Sequence, residues 1–245
     1  MRIVVVGGTG QTGRLLVEAL RERGHETLAA SPSTGVNAVT GDGLEQALTG
    51  AEVVIDVTNA PSADEAGATE FFRTSTENLT TAGAKAGVRH HVVLSIVGLE
   101  AASDLAYYRA KLAQEAAVRA GGVPFTIVRA TQFFEFLDGI VQANTRGDEI
   151  ALATLRMQPI ALSDLVTHLA GIATSEPVDG AVEAAGPETL ALDEIGRRLA
   201  VPGQRVTIGG RPFFGADVPA DALVAGPSAH RAPTTLAAWL ATRGR

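Results

Sequence analysis

Four glycines fall within seven residues, GGTGQTG at positions 7–13, directly after an apolar run at 3–6 and before a helical pattern. A buried strand that ends this way must turn sharply into a helix, and glycine is the residue that lets backbone pass so close to backbone. The letters admit two spacings. From Gly8 they read G-x-G-x-x-G, and from Gly7 they read G-x-x-G-x-x-G. In this context Gly7 allows the tight turn, Gly10 lets a pyrophosphate approach the backbone, and Gly13 lets the helix pack closely on the strand. The N–H groups at the start of such a helix favour an anion. The expected phosphate-binding set is Gly7, Thr9, Gly10, Gln11, Thr12 and Gly13. The plainer alternative is a tight strand-to-helix turn with no ligand.

The rest of the chain supplies the frame such a turn needs. Apolar, Val/Ile-rich runs at 3–6, 53–57, 91–97 and 125–129 read as strands, and so does the stretch at 25–30. Helical patterns follow the glycines and occupy 65–86 and 104–120. Continuous apolar strands separated by helices imply a parallel sheet buried on both faces. The expected fold is therefore α/β, a Rossmann-type doubly wound parallel sheet with a small C-terminal substrate lobe. Residues 1–245 are read as one domain, with 1–131 as the dinucleotide-binding core and roughly 132–245 as the substrate-side lobe with interleaved core elements. In that lobe 133–143 is expected helical, and 150–155 and 159–162 are expected to form short strands. Ser163 is expected to cap a helix over 164–173. A strand at 180–185, a helix at 192–199, a loop-rich stretch at 204–226 and a last helix at 234–242 complete the reading.

Composition removes several function classes. The net charge is −7 with no Lys/Arg run, against the clustered basic face that nucleic acid requires. No apolar run approaches the ~18 residues of a membrane span, and the run at 3–6 is too short for a signal peptide. There is no cysteine, hence no disulfide or thiolate metal site. The five histidines, at 25, 90, 91, 168 and 230, show no ligand spacing, and no metal is expected. A cytoplasmic protein with a small-molecule partner is the reading, without nucleic acid or membrane. A homodimer is left open.

In the usual NAD fingerprint an acid stands about 20 residues beyond the glycines and binds the ribose 2′-OH. Here the second strand ends in Ser31-Pro32-Ser33-Thr34, and Glu26 lies at its other end. Hydroxyls of Ser31 and Ser33, with Arg14 nearby, would accept a 2′-phosphate that an acid would repel. NADP(H) is expected over NAD(H); the alternative is that Ser-Pro-Ser is only a turn.

Both tyrosines of the chain lie in DLAYYRAKLAQE, where Tyr107 and Lys111 are four apart on one helix face, and Ser95 ends the fourth strand twelve residues earlier. Ser95 followed by Tyr107-x-x-x-Lys111, behind a G-x-x-G-x-x-G turn, resembles the short-chain dehydrogenase/reductase superfamily. The chain is most similar to its atypical, NmrA-like branch of NAD(P)H-binding proteins. GGTGQTG, TGDGL at 40–44, SIVG at 95–98, YYRAKLAQE and IVRATQFFEF at 127–136 carry the likeness, which spans nearly all of the first 165 residues. The resemblance, with the downstream residues, favours the Gly7-Gly10-Gly13 spacing. It implies that Asp42 contacts the adenine amino group, and that Val57, Thr58 and Asn59 lie beside the ribose. It implies Lys111 on the nicotinamide ribose, Tyr107 as general acid, Ser95 as the hydroxyl holding a substrate carbonyl, and Arg129, Ala130 and Thr131 flanking the nicotinamide.

The implied chemistry is coherent. Reducing a carbonyl puts negative charge on oxygen, which one group must protonate and another hold. A phenol has pKa ≈ 10, too weak an acid near neutrality, and an adjacent ammonium lowers it. Phe133 and Phe134, with Tyr108, are the expected substrate contacts, suited to a flat or apolar compound. Each of these phenylalanines could equally be core, and either tyrosine could face the substrate. The expected function is an NAD(P)H-dependent reductase acting on a small apolar carbonyl or quinone-like substrate. The alternative is a non-catalytic NAD(P)-binding redox sensor or regulator, since many NmrA-like proteins lack the tyrosine.

Overall fold

A computed structural model of the chain describes residues 1–61, 64–209 and 212–243. The first half alternates strand and helix: β1 (Arg2–Val6), α1 (Gln11–Glu22), β2 (Glu26–Ala30), α2 (Leu44–Leu48), β3 (Val53–Asp56), α3 (Glu65–Ala86), β4 (His90–Ile96), α4 (Ala106–Ala120) and β5 (Phe125–Ala130). Then come α5 (Phe134–Ala143), β6 (Thr145–Arg146), β7 (Glu149–Leu152), β8 (Arg156–Met157), α6 (Leu162–Ala173), β9 (Gly180–Ala185), β10 (Leu190–Ala191), α7 (Leu192–Leu199), β11 (Arg205–Ile208), β12 (His230–Arg231) and α8 (Leu236–Thr242).

One seven-stranded sheet has the order β12-β9-β5-β4-β3-β1-β2. β1 pairs parallel with β2, Val6 opposite Ala30, and with β3, Val6 opposite Asp56. β3 pairs parallel with β4, and β12 with β9. This is the Rossmann-type α/β sheet expected from the apolar runs. Ile3, Val4 and Val5 are fully buried, as strands covered by helices on both faces require. Because β2 and β3 flank β1 on opposite sides, the winding reverses at β1. The crevice at such a switch point, beyond the carboxyl ends of the strands, is where ligands bind in these sheets.

The chain divides into two compact units. One comprises Met1–Ser95, Arg109–Arg129 and Val166–Val182, and the other Ile96–Tyr108, Ala130–Leu165 and Glu183–Arg245. In the first, a layer of Val4, Val6, Leu44, Leu48, Val54 and Leu79 packs helices against the sheet. In the second, β7 pairs with β6 and β11, and β8 with β10.

Several local expectations for the second half are corrected. The stretch 159–162 is not a strand: only Ile160 forms a bridge, to Phe133, and α6 already begins at Leu162. Ser163 therefore lies inside the first turn of α6 rather than capping it, and the carboxylate of Glu135 accepts the Leu162 N–H at 3.2 Å instead. The strand expected over 150–155 is β7, shorter and one residue earlier. The loop-rich stretch 204–226, of which residues 210 and 211 lie outside the described ones, contains β11.

Candidate functional site

Three of the four glycines in the first turn are required by the protein's own packing. Gly7 has φ +79°, and a Cβ there would sit 3.0 Å from the Val57 carbonyl oxygen at the end of β3. A Cβ on Gly8 would come within 2.7 Å of the Ala29 Cα, and one on Gly13 would collide with the Gly7 carbonyl oxygen. Gly10 differs. Its φ is −73°, and a Cβ would meet only the Gly7 oxygen, at 3.2 Å. Gly10 is the N-cap of α1, no side chain caps that helix, and its first turn contains no acid. The N–H groups at the start of this twelve-residue helix are therefore offered at the switch point, the arrangement that binds a phosphate. Thr9, Gly10 and Gln11 are exposed there, and Thr12 is half-buried. At the neighbouring end of β3, Thr58 has a buried Oγ1 with no partner, and Asn59 is exposed. This cradle fits a dinucleotide.

The tip of β2 is built from hydroxyls. Ser31 N-caps a short 3-10 turn, Pro32–Thr34, in a reciprocal capping pair with Thr34. Ser31 is buried, with its Oγ 2.9 Å from that of the exposed Ser33. Arg14 is exposed on the first turns of α1. Asp42 is exposed, accepts a hydrogen bond from Thr40 Oγ1 at 2.6 Å, and lies between two left-handed glycines, Gly41 and Gly43.

Deeper in the first unit lies a buried polar network joining β3, β4, β5 and α4. Lys111 is 4% exposed. Its Nζ donates to the Leu94 carbonyl at 2.7 Å and to Gln114 Oε1, and lies 4.6 Å above the Phe72 ring. Gln114 Nε2 donates to Asp56 Oδ2 at 3.0 Å, and Asp56 Oδ1 accepts the Thr58 N–H at 2.8 Å. Burial drives the Lys111 amine down to about 8, against the opposing pull of the Asp56 and Glu115 charges. One residue on, the fully buried Glu115 accepts from Arg129 Nε at 2.8 Å, Arg129 Nη2 at 2.7 Å, Arg119 at 3.0 Å and the Ser95 hydroxyl at 2.7 Å. Burial raises the Glu115 carboxyl, but the bonds from Arg129 and Ser95 outweigh it and hold the group below the usual carboxylate range. Serine has one proton to donate. With it on Glu115, Ser95 cannot at the same time donate to a substrate carbonyl.

Asp56, Gln114 and Glu115 were not singled out in the sequence. A signal was there: Asp56 is a lone acid closing a wholly apolar strand, and Gln114 and Glu115 fall three and four residues after Lys111, on its helix face.

The second unit holds the remaining expected residues. Tyr107 is half-buried, one turn before Lys111 on α4. Tyr108 is buried, accepts from Gln132 Nε2 at 3.2 Å, and is pushed up to about 12 by burial, with the Gln132 bond pulling the other way. Ala130 ends β5. Thr131 follows, with its N–H on the Ala184 carbonyl and its buried Oγ1 without a partner. Phe134 is 1% exposed and packs against Trp239 in the core. Phe133, the N-cap of α5, stacks on the exposed Phe136 with ring centres 5.2 Å apart.

A family model described as NAD(P)H-binding matches residues 7–155, from the first glycine of the turn past Thr131. The chain belongs to this NAD(P)H-binding family. Among curated relatives, a (4-alkanoyl-5-oxo-2,5-dihydrofuran-3-yl)methyl phosphate reductase of Streptomyces griseus subsp. griseus is 36% identical over 145 residues, covering 54% of this chain and 48% of that protein. The photosystem II assembly factor Ycf39 of Cyanophora paradoxa is 25% identical over 180 residues, covering 68% and 56%. The chain spans about half the length of the curated relatives it matches. Among solved structures, the Bordetella bronchiseptica enzyme WbmG in complex with NAD and UDP aligns with a TM-score of 0.75 at 18% identity, over 98% of this chain and 94% of that one, a likeness of fold. Among the described residues, no helix is long and apolar enough to cross a membrane, and no cluster of three or more His, Cys, Asp or Glu could hold a metal ion.

Proposed function

We propose that the chain is an NAD(P)H-dependent reductase that transfers hydride to a small apolar carbonyl or quinone-like acceptor. The observation that carries this reading is Lys111, a buried ammonium one helical turn from Tyr107 on α4. A bound dinucleotide supplies the hydride. Tyr107 protonates the oxygen on which negative charge develops. Lys111, charged at neutral pH, favours the tyrosinate that remains and so brings the phenol within working range. The relationship to a reductase of Streptomyces griseus supports the reaction class. In this proposal Ser95 acts through Glu115, holding the end of β4 and orienting Arg129, rather than touching substrate. The stacked Phe133 and Phe136, rather than the core residue Phe134, favour an apolar, planar acceptor. Tyr107→Phe is expected to abolish turnover and leave dinucleotide affinity intact; undiminished turnover would remove the tyrosine from the chemistry.

NADPH is proposed as the preferred cofactor, because the β2 tip presents Ser31 and Ser33 in place of an acid, with Arg14 on the adjoining helix. Ser33→Asp is expected to weaken NADPH at least tenfold while sparing NADH. Equal losses for both would argue against the assignment.

A second reading, a dinucleotide-binding protein without turnover, is favoured by one observation: the only proton of Ser95 is committed to Glu115. The assembly-factor relative is consistent with it. It predicts tight dinucleotide binding, discrimination between oxidised and reduced forms, and no turnover with carbonyls or quinones.

A further inference from the structure

The chain has two lysines against eighteen arginines. Lys85 is exposed near the end of α3, and Lys111 is buried. An amine, unlike a guanidinium, can lose its proton in a protein, so lysine at a buried position permits titration where arginine would not. A buried ammonium normally requires a carboxylate partner. Among the described residues, Lys111 bonds to no carboxylate. Its bonds run to a backbone carbonyl and to the neutral amide of Gln114, and only the far end of that amide meets a carboxylate, Asp56. The order is directional: the Gln114 carbonyl faces the cation and its NH2 faces the anion. Asp56 in turn fixes the Thr58 N–H at the end of β3, beside the glycine turn.

We propose that Gln114 is a positioning residue whose carboxamide links Asp56 to Lys111, fixing the ammonium beside β4 and tying it to the β3 tip that borders the cofactor cradle. A direct Asp–Lys pair would hold the amine strongly charged and facing the carboxylate. The amide relay leaves it partly compensated and keeps one of its three N–H donors beyond the Leu94 and Gln114 bonds. The groups facing Lys111 are the Phe72 ring from α3, Asp56 from β3, the Leu94 carbonyl from β4, and Gln114 and Glu115 of its own helix; Glu115 is in turn neutralised by Arg129 and Arg119. As a contribution to catalysis this rests on the reductase reading; as a statement about Lys111 it does not.

With only two lysines, selective 13C labelling of lysine gives two side-chain NMR titrations, and exposed Lys85 is the internal reference. Lys111 is expected to titrate near about 8 in the wild type. Gln114→Met, which keeps the volume but removes both bonds, is expected to lower that midpoint by about one pH unit or more and leave Lys85 unmoved. The shape-preserving Asp56→Asn is expected to lower it too, and by less when Gln114 is already Met, because the two act along one path. An unchanged midpoint in Gln114→Met would overturn the proposal. If that variant does not fold, an unchanged midpoint in Asp56→Asn would do so. A separate titration with NADPH distinguishes the two readings: undiminished affinity and turnover in Lys111→Met would sink the role of Lys111 in the reaction without touching the relay.

Discussion

Gly10 and Gly13 sit three residues apart in one turn, yet they serve different ends. A methyl at Gly13 has no room, because it would collide with the Gly7 carbonyl oxygen. Gly13→Ala is therefore expected to lower thermal stability and to weaken dinucleotide binding together. At Gly10 the backbone angles suit any residue, and a methyl meets one atom. Gly10→Ala is expected to cost about 1 kcal/mol or less in folding, as an exchanged helix cap does, but at least tenfold in dinucleotide affinity. Melting curves with and without NADPH would show both; equal effects of the two substitutions would contradict this division. His90 and His91, at the opposite end of β4 from Ser95, titrate below the ordinary histidine value because burial disfavours their charged forms. The unfolded chain therefore takes up protons before the fold does. Stability is expected to be full above about pH 6.5 and to fall as the pH drops below it. Urea midpoints that stay flat between about pH 7.5 and 5 would exclude this contribution. At this scale the glycines were legible because their spacing is local. The bond between Gln114 and Asp56 joins positions 58 apart, and no local pattern reports it.

Helix α4 carries the most chemistry of any element. It sets Tyr107, Tyr108, Lys111, Gln114 and Glu115 along fifteen residues, and its buried face is partly polar instead of wholly apolar. Such a face is stable only while every charge is partnered. Glu115→Ala would leave Arg129 largely buried without its carboxylate, and is expected to lower stability by about 3 kcal/mol, read by chemical denaturation. A loss indistinguishable from that of an exposed pair such as Arg198–Glu194 would mean that water replaces the contact. The strands and long helices of the first half were legible because each is a short, mainly apolar segment or a sustained helical period. β8, β10 and β12 were not: each has two residues and exists only through its pairing. β11 was hidden for another reason, a Gly- and Pro-rich neighbourhood that reads as loop.

At the level of the whole molecule, the chain passes between its two units within β4, α4, β5, α6 and β9. Periodicity was enough to fix the fold class, since alternating buried strands and helices admit few other topologies. It could not separate the proposed proton donor from a packing tyrosine, because both give the same letter at the same spacing. That difference is the central claim, and single-turnover chemistry tests it most directly. Protein loaded with NADPH is mixed with a panel of apolar carbonyls and quinones, and oxidation of the bound cofactor is followed in the wild type and in Tyr107→Phe. Rapid oxidation by at least one acceptor is expected in the wild type, and none in the variant at equal NADPH occupancy. Full occupancy with no oxidation by any acceptor in the wild type, or equal rates in both proteins, would contradict it.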